Sequence, residues 1–454
     1  MDLTPHLIRG IIAPLWARHE GSPYLKIAQQ LEKDQFMSLQ ERCARQWKRL
    51  KILIQHAWDE SPFYRGRLSE VGFYPGDLKS WEDVRLLPIL SKTDIREHGA
   101  DILAKNAKKD LVPRMTSGST GVSLNFYTSD SEFQFKRGVN LFRDQWTGWR
   151  LGEWTASLWG NPSHAVRLNE RLRNILLERS FVLDTLKMDE SRMHNFAAEI
   201  LRHKPTLLFG HAHSLYLFAN FWEKRGLPRY SFKGVLSTAM VLHEHERTKC
   251  QSVFCCPVFD RYGCEEVSLI ASECEAHEGL HVNTDSLYVE LIRNGGQALP
   301  GEEGKVVITD LRNFSMPFIR YEVGDMAVVS EKECSCGRSY PLLTKMAGRV
   351  ADYLITPHGE FVSGISLTDH FATLIPGVEQ VQIIQERIDL ITLRLVAKEG
   401  VPEQCREKIA ALVEERFGPG MSFQLELVKN IPLEASGKYR FSICKVNNEI
   451  PFNP

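Results

Sequence analysis

The chain has 454 residues, 43% of them hydrophobic and 25% charged, the usage of a globular protein large enough for about two or three structural units. Its 56 basic and 57 acidic side chains leave a formal net charge of -1, which excludes a global attraction to nucleic acid or to an anionic membrane. The apolar residues at the start are broken by Pro5, His6, Arg9 and Pro14, and no uninterrupted apolar run reaches bilayer length. A cytoplasmic protein is the default expectation.

In chain order, the first hundred residues read as mostly helical. Ser38-Leu39-Gln40-Glu41 has capping-box spacing, in which hydroxyl and carboxylate satisfy the first free N–H groups of a helix. Trp47, Leu50, Ile54 and Ala57 follow at helical spacing, and Ser61-Pro62 closes the segment. Residues 206–209 and 234–237 are short β-rich runs between amphipathic stretches, the alternation of α/β layers. After Gly279 the pattern changes to consecutive strands at 287–292 and 305–309, with turn residues Asn294, Gly295 and Gly296 between them.

The last hundred residues predict a separate small α+β unit. Residues 381–384, 390–396 and 423–428 read as strands. Cys405, Ile409, Leu412, Val413 and Phe417 form a helical stripe that Gly418 ends. The boundary is expected near Gly348 to Asp352, giving a large domain at 1–348 and a small one at 349–454.

Two local patterns carry chemistry. Thr116-Ser117-Gly118-Ser119-Thr120-Gly121 lies between strand-like runs at 111–115 and 124–127. Its glycines permit close backbone approach, so that consecutive N–H groups converge on an anion, and its hydroxyls add donors to phosphate oxygens. It is not a Walker A loop, because Gly-Lys-[Ser/Thr] is missing and no helix is expected after it. A plain Ser/Thr/Gly turn explains the composition equally well. The second pattern is in the ten cysteines, seven of which fall between Cys250 and Cys336. Cys334-Ser335-Cys336-Gly337 is a tight Cys-x-Cys turn, and Cys274 precedes it with His277 and His281 close by. Thiolates and one imidazole suit a closed tetrahedral zinc site, which is structural rather than catalytic. The competing reading is a set of reduced buried cysteines.

Further motifs follow in order: Arg261-Tyr262-Gly263-Cys264-Glu265-Glu266, Tyr321-Glu322-Val323-Gly324-Asp325, Gly348-Arg349-Val350-Ala351-Asp352 and Ser436-Gly437-Lys438-Tyr439-Arg440. With the 116–121 loop, this order and spacing resembles the core motifs of the adenylate-forming acyl-CoA synthetase superfamily. The nearest branch is the phenylacetate–CoA ligase-like one, including relatives of capsular-polysaccharide type. The resemblance implies an α/β fold: a large N-terminal adenylate-forming domain of layered sheets and helices, then a small mobile α+β C-terminal domain. It also implies ATP- and Mg2+-dependent activation of a carboxylic acid, aromatic acids included, as acyl-AMP, with transfer to CoA.

The resemblance assigns roles residue by residue. Thr116, Ser117, Gly118, Ser119, Thr120 and Gly121 would hold the β- and γ-phosphates. Tyr262 and Gly263 would lie against the adenine, Glu266 would bind magnesium, Asp325 the ribose hydroxyls, and Arg349 the ribose or phosphate. Lys438 would reach the α-phosphate and the attacking carboxylate. Thr120, Glu266 and Lys438 form the implied catalytic set. The same branch includes members with a zinc site, matched here by Cys274, His281, Cys334 and Cys336, which favours His281 over His277. Cys264 and the Cys255-Cys256 pair are expected to be packing residues.

The acyl pocket falls near Trp159, His211 and His213, and its histidines suit a hydroxylated or sugar-linked acid. Thr356-Pro357-His358-Gly359-Glu360 departs from the turn that helps form the CoA tunnel in aryl-CoA ligases. That departure keeps two alternatives open: acyl transfer to an amine or alcohol, or AMP transfer as the end product. A third alternative is a catalytically inactive zinc scaffold. The expected partners are thus a small-molecule acid with CoA or another acceptor, with a homodimer left open and neither nucleic acid nor membrane insertion expected.

Overall fold

The computed structural model describes residues 3–107, 111–116, 124–160, 172–185, 187–293, 295–347, 353–358, 361–363, 367, 378–397, 403–431 and 442–446. It divides into two compact units: residues 1–115, 124–151 and 259–347, and residues 116–123, 152–258 and 348–454.

The first unit packs helices onto an antiparallel sheet. Helix Leu39–Glu60 begins at the expected capping box, with both Ser38–Glu41 bonds formed, and ends at Ser61, which caps the next helix Pro62–Glu70. Its Leu50, Leu53, Ile54 and Ala57 are fully buried in a core shared with Val306, Ile308, Phe318 and Tyr321. The sheet runs Gly296–Gln297, Leu287–Arg293, Glu303–Asp310, Tyr321–Val329, Leu342–Ala347, Leu280–Val282, Ser268–Glu273 and Val258–Cys264. In this order neighbours are antiparallel throughout, as the consecutive strands after Gly279 predict.

In the second unit a parallel sheet runs Gly234–Thr238, Leu207–His211, Thr155–Trp159 and Ser180–Asp184. Helices Glu190–His203, Ala212–Lys224 and Glu244–Phe254 bury Phe196, Phe218 and Phe254 with strand residues Leu158, Leu208 and Val235. Gly234–Thr238 is buried at every position, as in a parallel strand covered on both faces, so its residues show no alternation of apolar and polar.

The C-terminal segment of that unit holds a four-stranded sheet, in order Ser422–Leu427, Leu390–Ala397, Val378–Arg387 and Ser442–Cys444. Helix Glu403–Phe417 packs the predicted stripe, Cys405, Ile409, Leu412, Val413 and Phe417, into one core with Val381, Ile383, Leu393 and Leu395. Gly418 then turns with φ +76°, a conformation that favours glycine at a helix end.

Candidate active site and metal centre

Strands Val258–Cys264 and Tyr321–Val329 bring the second and third motifs together. The Tyr262 hydroxyl donates to Asp325 Oδ2 at 2.9 Å, and the Tyr321 hydroxyl donates to Glu266 Oε1 at 2.7 Å. Asp325 and Glu266 are both buried, while Tyr262 is half-buried. Two motif glycines have a conformational reason to be there. A Cβ on Gly263 would meet the Ser268 carbonyl oxygen at 2.5 Å, and Gly324 adopts φ +94° immediately before Asp325. Gly263 thereby allows the hairpin to fold tightly behind Tyr262.

Behind this pair lies charge that motif reading did not single out. The Lys136 ammonium pairs with Glu132, lies 3.3 Å from Asp310, and donates to the Glu266 backbone carbonyl at 3.3 Å. Burial pushes the Glu132 carboxyl up to about 7 even against Lys136. Burial would lower the Lys136 ammonium, but Asp310 and Glu132 outweigh it and raise it. Arg261 pairs with Asp144, and burial, with Arg143 adding to it, lowers its guanidinium to about 10. The legible signal was partial. Tyr321 opens the quoted Tyr-Glu-Val-Gly-Asp motif, whereas Lys136 sits in an ordinary amphipathic helix, Asp130–Asp144.

In the second unit, strand Leu207–His211 sets His211 beside Trp159, their rings 4.5 Å apart, and Phe209 stacks on the same indole at 5.4 Å. His211 is buried, which pushes its imidazole down to about 4. Its Nδ1 has no hydrogen-bond partner among the described residues. His213, at the start of the next helix, is directed differently: its Nδ1 meets Glu246 at 2.8 Å. Burial would raise the Glu246 carboxyl, but His213 and the His243 N–H together hold it below the usual range.

Thr116 ends the strand Val112–Thr116. Ser117, Gly118, Ser119, Thr120, Gly121, Arg349 and Lys438 lie outside the described residues. So does the expected boundary at 348–352, although the first unit ends at Ala347.

The four residues expected to ligate zinc converge. Their ligand atoms all lie within 4.8 Å of one another, and His281 rather than His277 completes the set. The Cys274 and Cys334 sulfurs are 3.6 Å apart, and His281 Nε2 lies 3.3 Å from Cys274 Sγ and 3.4 Å from Cys336 Sγ. Tetrahedral zinc, with bonds of about 2.3 Å to sulfur and 2.0–2.1 Å to nitrogen, requires edges of about 3.8 Å and 3.6 Å. The donor set and its spacing therefore fit the ion. Backbone N–H groups of Ala276 and Arg338 point at Cys274 and Cys336 sulfurs, each at 3.4 Å, and favour the thiolate form. His281 Nδ1 lies 3.3 Å from the Tyr340 carbonyl, which leaves Nε2 for the metal. His277 instead faces Glu273 at 3.4 Å.

The chain is similar to known proteins over most of its length. Residues 354–445 match the family model described as the CapK C-terminal domain. Protein CapK of Staphylococcus aureus is 24% identical over 376 residues, covering 80% of this chain and 81% of that protein. Phenylacetate-coenzyme A ligase of Thermus thermophilus is 25% identical over 336 residues, covering 72% and 73%. The Aromatoleum evansii enzyme of the same name is 26% identical over 333 residues, covering 72% and 74%. Among solved structures, 2-hydroxyisobutyryl-CoA ligase with its acyl-adenylate and CoA superposes with TM-score 0.63 at 21% identity, covering 91% of this chain and 92% of that one. The chain has the fold of the adenylate-forming acyl-CoA ligase superfamily, and its relatives indicate an adenylate-forming ligase. It is similar to CapK and to the phenylacetate–CoA ligases, and the similarity to CapK extends to the C-terminal domain model matched by residues 354–445.

Proposed function

We propose that the chain uses ATP and Mg2+ to convert a carboxylic acid to its acyl-AMP and then passes the acyl group to CoA. The observation that supports this best is the joined pair of motifs, Tyr262 bonded to Asp325 beside Glu266 bonded to Tyr321. In the first step a carboxylate oxygen attacks the α-phosphorus and pyrophosphate leaves. In the second the CoA sulfur attacks the acyl carbon and AMP leaves, carrying the bridging oxygen.

The protein's part is positioning and charge. Tyr262 lies against the adenine, and its bond to Asp325 orients that carboxylate to accept from the ribose hydroxyls. Glu266 is the hard oxygen donor that magnesium takes, with Tyr321 fixing its carboxylate. Magnesium supplies charge neutralisation on the phosphates. The 116–121 loop holds the β- and γ-phosphates, Arg349 meets the ribose or phosphate, and Lys438 stabilises charge developing at the α-phosphate. The segment 349–454 acts as the lid that delivers Lys438. Trp159 and His211 line the acid pocket, where a buried neutral imidazole offers one hydrogen bond without adding a charge. His213, bonded to Glu246, orients that wall rather than meeting the acid.

Cys274, His281, Cys334 and Cys336 hold a structural zinc. Transfer to an amine or alcohol in place of CoA is the second reading, resting on Pro357 and His358. Pyrophosphate exchange into ATP across a panel of acids, followed by product analysis with CoA or with amines, separates the two readings. Exchange with no acid on the panel would favour a non-catalytic zinc protein.

A further inference from the structure

Helix Leu39–Glu60 carries Arg42, Arg45 and Arg49 at i, i+3 and i+7, so three guanidinium stems lie on one face. Like charges at this spacing destabilise a helix unless something on that face neutralises them. Helix Tyr24–Asp34 contributes Ile27, Gln30, Leu31 and Asp34, again on one face, to the same cavity of about 110 Å³. Arg312 and Thr284 complete its polar wall, and Phe135 lies under the Arg312 guanidinium at 3.7 Å.

Four arginines thus share two carboxylates in the cavity lining, and both carboxylates are committed. Asp34 accepts from Arg45 through Oδ2 and from Gln30 through Oδ1. Asp285 accepts from Arg42 at 3.1 Å and from the Tyr340 hydroxyl at 2.7 Å, with the Arg143 guanidinium 3.8 Å away. Among the described residues, the side-chain hydrogen bonds of Arg49 and Arg312 go to the Asp285 backbone carbonyl, at 2.8 and 3.5 Å. Arg312 Nε and Thr284 Oγ1 are buried without a hydrogen-bond partner among the described residues, and Thr284 is only 5% exposed. Leaving such groups unpaired costs about 1–3 kcal/mol each. Burial, with Arg49 next in effect, lowers the Arg312 guanidinium to about 10 against the opposing pull of Asp285 and Asp310.

We propose that this cavity is a binding site for a phosphate group, free or carried on a small metabolite, held by Arg49, Arg312 and the Thr284 hydroxyl. Two guanidiniums with no carboxylate hydrogen bond among the described residues match a dianionic phosphate better than a singly charged carboxylate. The cavity shares no residue with the nucleotide motifs or the zinc ligands. It does touch the zinc loop, because Arg42 donates to Ser339 at 3.0 Å and Asp285 accepts from Tyr340.

Isothermal titration of the full chain with inorganic phosphate in low-salt, phosphate-free buffer is the test, with a sugar phosphate as a second probe. Arg49→Gln, Arg312→Gln and Thr284→Val should each weaken phosphate binding about tenfold or more, the loss expected for one charge-assisted bond. Without phosphate, the two arginine variants should melt no lower than the parent, since each relieves repulsion, and acid-dependent pyrophosphate exchange should be unchanged. Stronger binding of the sugar phosphate identifies a phosphorylated metabolite, and equal binding identifies free phosphate. No binding at about 10 mM, or equal binding by the parent and all three variants, would overturn the proposal. Because exchange is read separately, failure here is distinguishable from failure of the ligase assignment.

Discussion

Tyr321→Phe isolates one hydrogen bond at the centre of the proposed active site. The hydroxyl donates to Glu266 Oε1 at 2.7 Å, and Tyr321 is fully buried while Glu266 is 3% exposed. A bond to a charged group in such surroundings is worth about 1.5–3 kcal/mol, and removing the donor takes one bond from a buried carboxylate. If Glu266 is a magnesium ligand, its carboxylate then loses one of the contacts that orient it toward the ion. Loss of an orienting partner of this kind costs about 10–100-fold in metal affinity or activity, the same scale as 1.5–3 kcal/mol. The assay is pyrophosphate exchange titrated with Mg2+, alongside urea unfolding. The half-saturating Mg2+ concentration should rise about 10- to 100-fold, with excess Mg2+ restoring most of the rate. An unchanged Mg2+ dependence, with the whole loss appearing as lower folding stability, would mean that Tyr321 only satisfies a buried carboxylate in the core.

Three further outcomes follow from the same account. Elemental analysis should find about one zinc per chain, and Cys336→Ser should lower both zinc content and melting temperature before it affects exchange, because four protein ligands leave no place for water. Lys438→Ala should slow acyl-AMP formation on the order of 10²-fold with little change in ATP affinity, and supplying preformed acyl-AMP should bypass the defect; equal loss in both half-reactions would make the lysine a docking residue. His211, held near 4 by burial against an ordinary 6.5, contributes stability that is present above about pH 6.5 and lost as pH falls through 4. Between about pH 7 and pH 4.5 that loss is about 2–3 kcal/mol, so His211→Phe should show a shallower decline in urea-unfolding stability than the parent, and an identical decline would refute it.

Legibility in the sequence followed the physics of each feature. The capping box at Ser38 and the stripe from Cys405 to Phe417 are local, so hydrophobic period and capping chemistry revealed them directly. The Cys274, His281, Cys334 and Cys336 cluster was readable because thiolates and imidazole have few other reasons to occur together, and the resemblance to zinc-bearing relatives favoured His281 over His277. What stayed hidden depends on contacts across long stretches of chain. The Lys136–Asp310 pair joins residues 174 positions apart, and neither sits in a motif. His211 and His213 looked equivalent in sequence, yet the end of the strand buries one and the first turn of the helix sends the other to Glu246. The arginine cavity was invisible for the same reason, since an Arg-rich helix face ordinarily reads as a solvated surface.

The central claim is that a carboxylate oxygen becomes bonded to the α-phosphorus of ATP. It is tested most directly by running the complete reaction with an acid whose carboxylate carries ¹⁸O and following the label by mass spectrometry. The account predicts one ¹⁸O atom in the phosphate of AMP, since cleavage at the acyl carbon leaves the bridging oxygen on phosphorus. Label in orthophosphate with ADP as the nucleotide product, or AMP free of label, would contradict it.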